Sequence, residues 1–243
     1  IKLEFCINSV LKMKNQEKEK LNEVESSVLK IYEKVNPSLY KIEKNNNFFK
    51  EFKNQRELSL RNTGAFNVLK NSRNVIYIGG GTGEKALVDE AVNKANIKII
   101  DVNSKAINRA EKLFNKYQIP LKTECKSLFE LNEKDLEQFD LIICEGVLHH
   151  TYDPQKALRH LCKIVPSKSY LIIALAETNG WYQRQLQRNF VRFYSKNEDE
   201  IISRAKIYFS DHIERAHKFG LRSKDSIIYD TFVNPQIKPT DIE

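Results

Sequence analysis

The chain is poor in the features that mark several whole classes of protein. Its four cysteines, Cys6, Cys125, Cys144 and Cys162, are widely spaced, with no Cys-x-x-Cys pair. That spacing shows no metal-ligand clustering and no disulfide scaffold, so reduced, buried thiols are expected. No stretch approaches the roughly 18 consecutive apolar residues of a membrane span. The opening Ile1-Lys2-Leu3-Glu4-Phe5 is not a secretory signal, and a cytoplasmic protein is expected. Glycine is scarce as well: there are eight in 243 residues, and four of them lie between Gly79 and Gly83. Backbone freedom is therefore concentrated in a single turn.

What is present fits one α/β domain with an appendage. Hydrophobic residues make up 41% of the chain, enough for a sizeable core. The net charge of +8 could suit an anionic partner such as RNA, a phospholipid surface or a phosphorylated substrate. The lysines are scattered among Asn and Ile, however, which reads as compositional bias as much as a binding face. The polar run from Lys12 to Lys20 reads as a solvated helix face.

The glycine turn follows the β-branched run Val75-Ile76-Tyr77-Ile78 and precedes a helical pattern through Leu87, Val88, Ala91, Val92 and Ala95. A strand that turns on glycines into a helix presents unpaired amide donors and a positive dipole end, which suits a nucleotide-type ligand. The order is Gly79-x-Gly81-x-Gly83, and Glu84 stands where a dinucleotide fingerprint needs a sixth-position Gly or Ala. A second strand, Ile97 to Ile100, ends at Asp101, about 20 positions beyond the glycines. A carboxylate there can accept from both ribose hydroxyls, with Val102 beside it. A third strand spans Leu121 to Cys125, a fourth runs through Phe139-Asp140-Leu141-Ile142-Ile143-Cys144, and a fifth spans Tyr170 to Ala176. Strands alternating with helices predict a doubly wound, mostly parallel α/β sheet of Rossmann-like type.

Val75 to Glu84 resembles motif I of the class I S-adenosylmethionine-dependent methyltransferases. The string Phe139 to Asp153, with Glu145-Gly146-Val147-Leu148-His149-His150, resembles motif IV of their small-molecule and lipid-type members. The resemblance covers residues 70 to 177. It implies S-adenosylmethionine as cofactor, held by Gly79, Gly80, Gly81 and Gly83, with Asp101 and Val102 at the ribose and Ser127 and Leu128 at the adenine. Glu145, Gly146 and Val147 would line the methyl donor. It further implies methyl transfer to an O or N nucleophile, with His149 or His150 facing the acceptor as a candidate base; paired histidines also occur simply as polar loop members. One departure is Tyr77, where many members carry an acid.

Outside this core, residues 1–70 are expected to form amphipathic helices that cap the sheet, through Leu21, Val24, Val28, Ile31, Tyr32 and Val35, with Pro37 and Asn45-Asn46-Asn47 as punctuation and Phe48, Phe49 and Phe52 as an aromatic face. Residues 178–225 form an insertion expected to act as a lid. Its Trp181, Tyr182, Arg184, Arg188 and Arg192 could receive an anionic or aromatic acceptor, or could be solvated arginines and core aromatics. One long helix is expected from Ile201 to Gly220. Residues 226–243 read as a strand, Ile227 to Val233, with a proline-punctuated tail, and the sheet as truncated. Beside a small-molecule or lipid-like acceptor, two alternatives stay open: an RNA methyltransferase, motivated by the charge, and a non-catalytic cofactor-binding interaction protein. An aminopropyltransferase is disfavoured because its acidic strand end is not reproduced at Glu145-Gly146-Val147.

Overall fold

Alternation along the first strand sorts its side chains to opposite faces of the sheet, and each face meets its own set of helices. In the computed structural model, which describes residues 23–24, 26–34, 46–220 and 222–235, strand β1 (Asn74–Ile78) directs Val75 and Tyr77 to one face and Ile76 and Ile78 to the other. Helix α1 comprises residues 26–34, and α2 (Asn46–Asn62) and α3 (Phe66–Asn71) precede β1. After β1 come α4 (Glu84–Asn93), β2 (Asn96–Asp101), α5 (Ser104–Lys116) and β3 (Leu121–Cys125). Then follow α6 (Glu133–Leu136), β4 (Leu141–Glu145), α7 (Pro154–Ile164) and β5 (Tyr170–Ala174).

All four pairings are parallel, in the order β3-β2-β1-β4-β5. The Val75 face is covered by Phe52, Leu60, Phe66, Leu69, Leu87, Ala110 and Phe114 from α2 to α5. The Ile76 face is covered by Leu136, Ala157, Leu161 and Ile164 from α6 and α7. A fully parallel sheet buried on both faces is the expected Rossmann-like architecture. The direction of winding reverses between β1 and β4, so the loops that leave these two strands diverge and open a crevice at their carboxyl ends.

Beyond β5 the chain is helical: α8 (Thr178–Phe193), α9 (Glu198–Tyr208), α10 (Ser210–Gly220), α11 (Lys224–Ile228) and a π-helical turn, Tyr229–Val233. Val191, Ala205, Ile213, Ile227, Ile228, Phe232 and Val233 form a third core, which Ile31 of α1 joins. Three expectations are corrected here. The long helix from Ile201 breaks at Phe209, whose backbone leaves helical geometry while its ring stacks on Phe232 at 5.6 Å. The run Ile227 to Val233 is helical and not a strand: Ser223 caps it by accepting from the Ser226 amide, and its β-branched residues bury against α8 to α10 without a strand neighbour. Cys125 and Cys162 are exposed, and Cys144 alone of the described cysteines is buried. The expectations resting on Leu21, Val35, Pro37, Asn45 and Cys6, on the Phe48 side chain and on residues 12–20 and 236–243 lie outside the described residues.

A buried ion cluster ties α2 to the centre of the sheet. Arg56 Nη2 donates to Asp89 Oδ2 at 2.9 Å and Arg56 Nη1 to Glu145 Oε1 at 2.9 Å, while the Tyr77 hydroxyl donates to Asp89 at 2.8 Å. Burial alone would lower the Arg56 pKa, but Asp89 and Glu145 raise it, so the guanidinium is held charged. Replacing Arg56 with Met would leave the fully buried Asp89 without a cation and Glu145 with Lys85 alone. The expected cost is about 3–5 kcal/mol, read as a lower midpoint in urea unfolding; a midpoint shift equivalent to less than about 1 kcal/mol would show that the cluster adds little.

Candidate active site

The crevice at the β1–β4 reversal holds a cavity of about 210 Å³. Gly79 and Gly81 of the glycine turn, Asp101 and Val102 at the end of β2, Ser127 and Leu128 after β3, and Gly146 and Val147 after β4 all line it. These eight positions come from four separate loops, brought to one edge because parallel strands point their carboxyl ends the same way. Gly79 has φ +66°, and a Cβ there would overlap the Val147 side chain. Glycine is therefore required both for the turn and for the closeness of the β1 and β4 loops.

Asp101 orders the turn from below. Its Oδ2 accepts from the Gly81 amide at 2.8 Å and its Oδ1 from the Asn103 amide at 2.8 Å. Burial raises its pKa, and these amide donors counter part of the rise. Asn103 caps α5, its Oδ1 accepting from the Lys105 and Ala106 amides at 3.0 and 3.2 Å. Its other amide atom, Nδ2, is buried in the cavity wall without a partner. A buried donor left unpaired is costly unless something accepts from it. Asn103 was missed by sequence reasoning, although an Asn two residues past a strand-ending acid, at the head of a helix, is a readable cap.

Four other expected positions stand back from the cavity lining. Gly80 lies under the turn, where a Cβ would press on Ile99, and Gly83 packs its α-carbon against Ala110 of α5. The Glu145 carboxylate turns to Arg56 and Lys85, which hold its pKa down against the effect of burial, so only the backbone after it faces the cavity. His149 packs beside the lining, its ring 5.8 Å from that of Trp181.

The wall opposite the sheet comes from α1, through Val28, Leu29 and Tyr32. Tyr32 donates to Asp230 Oδ1 at 2.9 Å, and its oxygen lies 2.9 Å from His150 Nε2. A phenol has one proton, so with Asp230 as its acceptor, His150 Nε2 is the donor to the phenol oxygen. With Asn234 Nδ2 at 3.3 Å from Nδ1, the ring is placed to accept there, as the neutral Nε2–H tautomer does. Burial would raise the Asp230 carboxyl, yet Arg222, 3.0 Å away, and the Tyr32 hydroxyl hold it down at about 2. Its stabilising effect is complete above the ordinary carboxylate range and is lost only as pH falls from about 4 towards 2.

The two histidines are thus in different states. Both ring nitrogens of His150 are engaged, whereas His149 is buried with Nδ1 unpartnered. Burial pushes His149 down to about 4, so it stays neutral.

The arginines expected to meet an acceptor are mostly engaged elsewhere. Arg188 Nη1 donates to the Thr231 carbonyl at 3.2 Å, and Arg192 Nη1 to the Phe232 and Val233 carbonyls at 3.2 and 3.1 Å. These are the carbonyls that the π turn leaves open, so both side chains stabilise that turn. Arg184 lies over the Trp181 ring at 5.1 Å, and Tyr182 is exposed. Among the described residues, no group of three or more His, Cys, Asp or Glu side chains could hold a metal.

The glycine turn, the twin acceptors of Asp101 and the orphan Asn103 donor fit a ribose-bearing cofactor that offers hydroxyls and acceptor atoms. The chain is similar to several known proteins. The ubiquinone biosynthesis O-methyltransferase of Coxiella burnetii is 26% identical over 109 residues, 44% of this chain and 45% of the relative. The match thus spans less than half the length of that curated relative. A solved plantazolicin methyltransferase in complex with a monoazolic desmethylPZN analog and SAH is 17% identical, covering 89% of this chain and 72% of that one with a TM-score of 0.48. A SAM dependent methyltransferase from Aquifex aeolicus is 23% identical, covering 49% and 62% with a TM-score of 0.40. A family model described as a methyltransferase domain matches residues 69–216, from ahead of the glycine turn to α10. On that match, which takes in more than half of the sequence, the chain belongs to the methyltransferase-domain family, of the class I kind that uses S-adenosylmethionine.

Proposed function

We propose that the protein transfers a methyl group from S-adenosylmethionine to a hydroxyl of a small-molecule or lipid-like acceptor. The observation that carries the reading is the convergence of the glycine turn, Asp101 and the unpaired Asn103 donor on one cavity. The O-methyltransferase name of the Coxiella relative supports a hydroxyl acceptor. Once bound, the cofactor supplies a methyl group already activated by its sulfonium, displaced in line with release of a neutral thioether.

The chain's own residues then have three tasks. The amides of the glycine turn and the backbone at Gly146 and Val147 align the donor. Asp101 accepts from the ribose hydroxyls through lone pairs not used by Gly81 and Asn103, and Asn103 Nδ2 donates to the same nucleoside. Ser127 and Leu128 border its base. Val28, Leu29 and Tyr32 exclude water from above. His149, neutral and with a free ring nitrogen, takes the acceptor's proton as the new bond forms, while His150 holds α1 closed through Tyr32.

Two outcomes are expected. Asn103→Ser keeps a capping oxygen for α5 but removes the donor, so cofactor affinity measured by calorimetry should fall about tenfold, the worth of one hydrogen bond, with little change in melting temperature. Asp101→Ala should weaken it more. Unchanged affinity in both variants of a folded sample would overturn the cofactor assignment.

For the base, methyl incorporation into a small-molecule and lipid extract should be insensitive to pH down to about 5 and fall below it, following the displaced His149 value of about 4. The sign follows from the chemistry: protonation removes the lone pair, so acid inhibits. His149→Gln should lower turnover about 10²–10⁴-fold at unchanged cofactor affinity. Full turnover in that variant would make His149 a structural member of the loop.

A further inference from the structure

The outer face of α8 carries a stripe of exposed large apolar side chains, of which Phe190 touches the third core through Phe209 at 6.2 Å. Tyr182, Leu186, Phe190, Phe193 and Tyr194 recur at helical spacing and are 64%, 52%, 44%, 81% and 55% exposed. Ile207 and Tyr208, at the end of α9, extend the same patch, and the Phe190 and Tyr208 rings meet edge to face at 5.6 Å. Seven of the eleven exposed large hydrophobics among the described residues fall in this one segment, so the exposure is clustered and not the ordinary scatter of a protein surface. The stripe is about 18 Å long, at 1.5 Å per helical residue.

Charge identifies what would cover it. Helix α8 has no acidic residue, and of its arginines Arg184 is exposed while Arg188 and Arg192 turn to the inner face. Lys196 follows Tyr194, and Arg204 and Lys206 flank the patch on α9. The acidic residues of α9 are Glu198, Asp199 and Glu200, all in its first turn, at the far end from Ile207 and Tyr208. Asp211 of α10 is the one acid that follows Tyr208 closely. A second copy of a chain with net charge +8 would bring like charges together around the stripe. The three tyrosines add polar tips to apolar rings, which suits a boundary between water and hydrocarbon. Among the described residues no helix is long and apolar enough to cross a membrane, so the fit is to the plane of an interface.

We propose that the outer face of α8 with the end of α9 docks on an anionic lipid surface, its aromatic stripe inserted at the headgroup level and its basic rim against the lipid charge. The proposal stands apart from the identity of the methyl acceptor, because it concerns a face of α8 and not the cavity. It is tested by co-sedimentation of the whole chain with vesicles of phosphatidylcholine alone and of phosphatidylcholine mixed with phosphatidylglycerol. Binding is expected to the mixed vesicles, to weaken with added salt, and to be about tenfold weaker on the neutral ones. The double variant Leu186→Gln, Phe193→Gln changes two well-exposed side chains, and it should lose about tenfold or more of the binding while keeping the melting temperature and cofactor affinity of the parent. Absence of binding to the mixed vesicles, or binding that the double variant leaves unchanged, would overturn the proposal. So would a concentration-dependent dimer in sedimentation velocity that the double variant abolishes, since the stripe would then belong to a second copy.

Discussion

A single phenol closes the cofactor crevice. Tyr32 reaches from α1 to a carboxylate almost 200 residues further along the chain, and its oxygen accepts a hydrogen bond from His150, which belongs to the loop after β4. Three regions that share no secondary-structure ladder are thereby joined at one buried point. The bond is strong because Asp230 is kept ionised by Arg222, and a charged acceptor in a buried setting holds a neutral donor more firmly than a carbonyl would. It also fixes the tautomer of His150, so a contact made by the outer helix decides which nitrogen of a loop residue carries the proton. The wall formed by Val28 and Leu29 is held by this contact together with Ile31 in the third core and the Lys34–Glu198 ion pair at 2.8 Å.

The second constraint lies below the sheet edge. At position 77, where many related strands have an acid, this chain has a tyrosine, and the negative charge comes from Asp89 of α4 and Glu145 of β4 with Arg56 between them. A tyrosine can fill that site only because its hydroxyl finds a carboxylate; buried and unpaired, it would be destabilising. The arrangement draws the Glu145 side chain away from the crevice and leaves Gly146, at φ +77°, to present backbone there. The same residue thus serves the core through its side chain and the crevice through its neighbours.

How much of this could be read in advance depends on how local each cause is. The glycine turn, Asp101 and the β4 run were legible because each is a short pattern with one structural outcome: a strand, a tight turn and a helix in sequence. Asn103 was within reach, as a cap following a strand-ending acid. Tyr32 and Asp230 were not, since their meaning lies in each other and nothing local connects them. The run Ile227 to Val233 misled because β-branched and aromatic residues favour a strand where a partner strand exists, and here the available surface was a cluster of helices. Arg188 and Arg192 were expected at an acceptor because a sequence displays charge without displaying the open carbonyls of a π turn.

The region after β5 shows why its arginines and aromatics had to be separated by face. On a helix, residues four apart stand together, so Arg184, Arg188 and Arg192 share one side while Tyr182, Leu186 and Phe190 share another. The first side turns inward, where Arg188 loses solvent and its pKa falls to about 10 under the combined effect of burial and Arg192. Its charge is tolerated because carbonyl oxygens, and at longer range Asp230, face it. That leaves the inner side of α8 committed to holding the C-terminal turn, and the turn in turn carries Asp230 and precedes Asn234, the two partners that bind Tyr32 and His150. The insertion therefore acts on the crevice through the turn that it braces, while on its aromatic outer side, among the described residues, Phe190 alone of Tyr182, Leu186 and Phe190 meets Phe209 of the third core and all three stay exposed.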